Sequence, residues 1–146
     1  MSVAMVYDNA RIGGNAIIYG NARVRGNTKV YDNAKVCGNA KVYDNAEIYD
    51  NAEVCENVVI CGNARVNGDV VAYGYAKVCD NAKVFNNSIV CDNAKVCGNA
   101  EVFGHAEVYD NARVFEDARI YGSAKVYGDA RVYGKMEFCD NTIVYW

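Results

Sequence analysis

Asp92-Asn93-Ala94-Lys95-Val96-Cys97-Gly98-Asn99-Ala100-Glu101-Val102-Phe103 is one six-residue word written twice: turn residue, Asn, Ala, charged residue, Val, then an aromatic residue or Cys. The word runs from Met1 to Trp146 without an insertion. Its aliphatic position falls on every multiple of six, from Val6 to Val144. Val or Ile holds 22 of these 24 places, Ala72 and Phe138 being the exceptions. Two residues earlier, Ala holds 18 of 24, and the others (Thr28, Val58, Val70, Ser88, Met136 and Thr142) are uncharged. A short fixed period of this kind is the signature of a solenoid.

The period also assigns inside and outside. Side chains alternate faces along a strand, so the Ala and Val positions share one face and the residues between and after them share the other. The between position carries a charge in most words, as in Lys35, Lys41, Glu47 and Glu53. An unpaired buried charge is very costly, so that face meets water and Ala and Val point inward. The remaining two positions are corners. The first is mostly Gly, Asp or Glu; the second is Asn in 16 words. Gly and Asn accept positive φ, and Asn forms side-chain-to-backbone turns. A corner after each four-residue strand carries the chain around a triangle. Three words make an 18-residue coil, and the whole sequence makes about eight coils, a rod roughly 38 Å long at ~4.8 Å per coil.

With an aliphatic residue such as Val36, the turn pair Gly38-Asn39 and the small Ala40 four residues on, the chain resembles the hexapeptide-repeat superfamily over its whole length. That resemblance implies a triangular, left-handed parallel β-helix with no helical domain. Handedness is implied by the resemblance alone, because the general crossover rule favours a right-handed connection. It also implies a homo-oligomer, commonly a trimer.

One domain covering residues 1–146 is expected from the length, with no linker or tail. Met1-Ser2-Val3-Ala4-Met5-Val6 enters the repeat at once, so no leader peptide is expected. No apolar run is long enough to cross a bilayer, so no membrane partner is expected. The net charge of −3 implies no dedicated polyanion role by itself. Proline is absent, as suits a chain built of strand ladders and tight corners.

Seven cysteines, at positions 37, 55, 61, 79, 91, 97 and 139, all occupy the outward position after the aliphatic residue, which otherwise holds Tyr or Phe 14 times. Folding on 18 residues stacks Cys61, Cys79 and Cys97 on one face and Cys37 with Cys55 on another. In-register parallel neighbours are expected to be poorly oriented for a disulfide. There is no CxxC spacing and no nearby His to complete a zinc site, so no metal is expected. The odd count argues against a secreted disulfide scaffold. Reduced surface thiols in a cytoplasmic compartment are the expectation.

The words are least regular in the middle, where Val58 and Val70 replace Ala inside and Ala72 replaces Val. The exchange conserves interior volume and reads as repacking. Near the C-terminus Lys135, Met136 and Phe138 enlarge the interior and are expected to plug the open end, with Trp146 helping. Neither end shows a polar cap, so end-to-end stacking is a further expectation.

The three outer faces differ. The first carries Arg23, Arg25, Lys41, Lys77, Lys95, Arg113 and Arg131 with no acid in its strand positions, a candidate anion-binding row. Corner acids alternating with Gly, from Asp8 and Gly26 to Glu116 and Gly134, lie close enough to offset those cations, and a solvated, self-neutralised face is favoured. Nucleic acid is therefore not an expected partner. The second face mixes signs and bears an aromatic ladder of Tyr31, Tyr49, Phe85, Phe103 and Tyr121. The third is the most apolar, with Ile17, Val71, Ile89 and Ile143 before the aliphatic position and Tyr19, Tyr73, Tyr109, Tyr127 and Tyr145 after it. Large apolar patches mark interfaces, and this face is the candidate surface for a flat-sided trimer.

Chemistry is sparsely signalled. Enzymes of the resembled superfamily are mostly acyltransferases using acyl-CoA or acyl carrier protein with an essential His; others are carbonic anhydrases that hold zinc with three His from neighbouring subunits. This chain has one His, His105, at a corner where Asn is usual. As a general base it would need an orienting carboxylate, for which Glu101 and Glu107 are nearest, and an acceptor pocket. The superfamily's extruded acceptor loop and C-terminal helical domain are missing, since every word has the same length. Three readings follow: a non-catalytic, self-associating solenoid that binds a partner and needs no cofactor; an acyl-CoA-dependent acyltransferase with sites between subunits; and a binder of small anionic ligands. The uniform words favour the first.

Overall fold

The computed structural model describes residues 3–146; the reading of Met1 and Ser2 as the start of the repeat lies outside the described residues. Each word forms one short strand, from β1 (Met5–Val6), β2 (Arg11–Ile12) and β3 (Ile17–Ile18) to β22 (Arg131–Val132), β23 (Glu137–Phe138) and β24 (Ile143–Tyr145). Every third strand joins the same sheet, giving three eight-stranded parallel sheets, one per side of the solenoid. Pairing is in register at 18 residues throughout: Met5 faces Arg23, Arg11 faces Lys29 and Ile17 faces Lys35.

Hydrogen bonding shows why the paired segments are shorter than the four residues expected. The Ala position turns its N–H back to the carbonyl three residues earlier, as Ala94 does to Cys91 at 3.1 Å. It thereby closes the corner instead of joining the ladder. The ladder continues past the strand pair: Cys97 N–H donates to Val114 O at 2.9 Å and Asn99 N–H to Glu116 O at 2.7 Å. A backbone bonded even through its corners leaves few unpaired polar groups to bury.

The inward assignment holds. Ala22 through Val132 at these positions form one continuous core, most with no exposed surface. Val58, Val70 and Ala72 lie in it, so the irregular middle is repacked core. Thr28 and Ser88 occupy Ala positions; Ser88 donates to Phe85 O at 3.0 Å, whereas Thr28 Oγ1 is buried without a partner.

Positive φ belongs to the first corner position, whether Gly98 (φ 70) or Asp92 (φ 58). The alternation of acid and Gly has a structural cause. Asp80 Oδ2 accepts the backbone N–H of Gly98 at 3.0 Å, and Asp8, Asp44 and Glu116 do the same for Gly26, Gly62 and Gly134. A Cβ on Gly98 would stand 2.7 Å from Glu116 N, so the glycine lets the next coil approach. The second corner holds amide ladders, Asn81 donating to Asn99 at 3.1 Å.

The expected plug is not formed. Phe138 only partly fills the last coil, Met136 is 40 % exposed and Trp146 82 % exposed. A coil has inward neighbours on both sides only in the middle of a solenoid; at its end the enlarged side chains lack the second layer that would bury them. The same holds at the other end, where Val6 is 44 % and Ile12 39 % exposed. No helix of the described residues is long and apolar enough to cross a membrane.

Candidate functional site

Three surfaces carry the side chains singled out by the sequence. The basic face is a single sheet in which Lys77, Lys95, Arg113 and Arg131 stack directly on one another. Arg23 and Lys41 form a separate pair, divided from that row by Val59. Met5 and Val59 show that apolar replacements are not confined to the third face. The expected self-neutralisation is not seen. Among the described residues no ion pair within 4.0 Å reaches this row, because the corner acids are turned to cap the Gly N–H groups. Arg25 lies over the Tyr43 ring at 5.3 Å, at a distance that allows a cation–π contact. A shallow cavity of about 690 Å³ runs beside the row, lined by Tyr75, Asn93, Lys95, Asn111, Arg113 and Arg131 together with Asp129.

The second face is neutralised in alternation. Glu47 sits between Lys29 at 2.7 Å and Arg65 at 3.4 Å. Glu101 sits between Lys83 at 3.0 Å and Arg119 at 3.2 Å. Its aromatic ladder stacks in parallel, Phe85 on Phe103 at 4.8 Å and Phe103 on Tyr121 at 5.0 Å.

The third face exposes Ile17, Tyr19, Val71, Tyr73, Ile143 and Tyr145, while Ile89, Tyr109 and Tyr127 are half-buried against their neighbours. Val71 and Ile89 stack in register to form an apolar patch midway along the rod. Pairs Lys35–Glu53 at 2.7 Å and Lys125–Glu107 at 3.0 Å divide this patch from apolar groups at the two ends.

His105 is exposed at its corner, its N–H bonded to Gly122 O at 2.7 Å. The structure does not hand it an orienting carboxylate: Glu107 is held by Lys125, and Glu101 by Lys83 and Arg119.

The cysteines depart from the expectation of reduced surface thiols in two ways: Cys61 and Cys91 are buried, and one pair is joined. Cys37 and Cys55 form a disulfide, with their Cα atoms 4.5 Å apart. In-register stacking, taken as unfavourable, brings the Cα atoms just inside the range a disulfide spans. Cys79, Cys97 and the carboxylate of Asp80 place their donor atoms within 4.8 Å of one another, a grouping able to hold a thiophilic cation. The 18-residue spacing stacks the two thiols, and the carboxylate reaches them from the adjacent corner position, which alternation along the strand does not link to the ladder. Burial pushes the Cys79 thiol up to about 12 and also raises Cys97. Burial likewise takes Cys91 up to about 11, and its hydrogen bond raises Tyr73 to about 12.

A family profile described as the YdcK beta solenoid repeat matches residues 10–26 and 60–74. No curated protein matches the chain. Similar solved structures include the following two. One is a UDP-N-acetylglucosamine acyltransferase from Arabidopsis, 15 % identical, covering 98 % of this chain and 69 % of that one, with a TM-score of 0.29. The other is a UDP-N-acetylglucosamine acyltransferase from Campylobacter jejuni, 16 % identical, covering 88 % and 66 %, with a TM-score of 0.28. Scores this low carry no inference about activity. The chain is a hexapeptide-period parallel β-solenoid that carries the YdcK-type solenoid repeat in two stretches.

Proposed function

We propose that this chain is a non-catalytic assembly module, a rigid rod that joins further copies of itself through its third flat face and presents its remaining ladders to a partner. The observation that supports this most is the apolar patch at mid-rod, where exposed Val71 and Tyr73 adjoin half-buried Ile89 and the neighbouring coils carry paired charges. Apolar area on a flat parallel sheet is well placed for burial against an identical surface. A trimer about an axis parallel to the rod is the arrangement implied by the superfamily resemblance. The module calls for neither acyl-CoA nor another cofactor. Replacing Val71 and Ile89 together with Lys should remove the lateral contact and delay elution in size-exclusion chromatography. An unchanged elution volume would discredit the face.

A second reading has its own observation. Four stacked cations without acid partners repel one another, since like charges directly opposite across a sheet are destabilising. Their shallow cavity suits an extended anion that relieves that repulsion. Salt-sensitive retention on heparin, lost on replacing Lys95 and Arg113 with Gln, would support it; flow-through at low salt would remove it.

A further inference from the structure

The two ends of the rod match each other, and we propose that copies of this chain stack coaxially, β22 to β24 of one copy pairing with β1 to β3 of the next. The inference rests on the reading of the chain as a self-associating module, but it uses the ends of the rod where that reading uses a side.

The second face supplies the first argument. Two of its glutamates each lie between a cation on the coil below and a cation on the coil above: Glu47 between Lys29 and Arg65, Glu101 between Lys83 and Arg119. Glu137 is on the last coil and has Arg119 alone, at 3.4 Å. Continuing the 18-residue spacing into a second copy sets Arg11 of that copy against Glu137. The missing half of the sandwich is supplied by the other end of the rod.

The same step continues the third face. Ile143, 57 % exposed, meets Ile17, 51 % exposed. Tyr145 continues the stack of Tyr109 on Tyr127 and Tyr127 on Tyr145, whose rings lie 5.0 and 5.4 Å apart, onto Tyr19. At the corners, Asn141 comes over Asn15, which already donates to Asn33 at 3.2 Å, so the amide ladder runs on. Inside, Phe138 covers Ile12 and Val144 covers Ile18, burying the lumen that both ends leave open.

The register is selective. A third of a turn in one direction sets Glu137 against Ile17, Ile143 against Arg23 and Arg131 against Arg11. A third of a turn in the other sets Glu137 against Met5 and Ile143 against Arg11. Only the continuous register pairs Glu137 with Arg11 and Ile143 with Ile17; on the first face it sets Arg131 against Met5. A parallel sheet edge is a template for another strand unless it is blocked, and the residues at these edges do not block that register.

Sedimentation velocity at low ionic strength, over a hundredfold range of concentration, tests the proposal. The chain should form species larger than any closed lateral trimer. Glu137→Arg alone and Arg11→Glu alone should each weaken that growth about tenfold, and the double exchange should restore it. Thermal unfolding of each variant controls for misfolding. Val71→Lys with Ile89→Lys should leave the axial growth in place while removing lateral association. If the chain never exceeds a closed oligomer, or if the single exchanges sediment like the parent, the proposal is overturned. If the lateral variant is monomeric and both charge exchanges are silent, axial stacking fails and the third-face reading stands.

Discussion

Exchanging Val70 and Ala72 tests whether the narrow interior conserves volume locally. Both are buried, two residues apart on the inward side of one word, in the reverse order of the usual Ala and Val. Val70→Ala removes two carbons, about 1.6 kcal/mol of transfer free energy, and leaves a cavity that adds about 1 kcal/mol. Ala72→Val pushes the same volume between Val54 and Val90, its in-register neighbours, at about 1–3 kcal/mol. Independent effects would sum to about 3.5–5.5 kcal/mol, or roughly 7–20 °C in melting temperature for a chain of this size. The double exchange rewrites the usual word and should cost under about 1.5 kcal/mol, within about 5 °C of the parent. Circular dichroism melts of the four proteins measure this. A double variant as unstable as the sum of its parts would refute the idea that the two positions share one volume.

Thr28→Val should raise stability by about 1–2 kcal/mol, read by denaturant titration, because it replaces a buried hydroxyl that has no partner with the shape already used at Val58 and Val70. Lys95→Glu should stabilise by about 0.5–2 kcal/mol by relieving two stacked like-charge contacts, with Lys77 and Arg113, and the gain should shrink in salt. Cys79 keeps its proton in the fold to about pH 12, whereas an unfolded thiol loses it near 9. Its contribution is therefore complete below pH 9 and is lost as pH rises from about 9 to about 12. Cys79→Ala should flatten the alkaline fall in melting temperature over that window.

The fold was legible because two periods agree. Alternation along each word separates Lys95 from Ala94 and Val96, and the six-residue step repeats that separation on every side of the rod. Neither period depends on knowing a distant contact. What escaped the sequence needed exact side-chain direction. Sequence position puts Asp80 and its counterparts beside the cations, but they face along the axis to the next corner N–H, which leaves the cation row unpaired. The 18-residue step stacks Cys37 on Cys55, but whether two stacked thiols join depends on side-chain direction, which the step does not specify. Met136 and Phe138 have the size to plug an end, but large side chains seal it only if a further layer covers them. His105 lacks a signal in either view: at its corner it substitutes for Asn, and no neighbouring acid is free to orient it.

Small-angle X-ray scattering as a function of concentration tests self-association, the central claim, most directly. One rod of eight coils is about 38 Å long. The account predicts that the maximum dimension grows by steps of about that length, with a cross-section that widens only through the third face and narrows again in the Val71→Lys, Ile89→Lys variant. A single rod of constant length and cross-section at every concentration would contradict it.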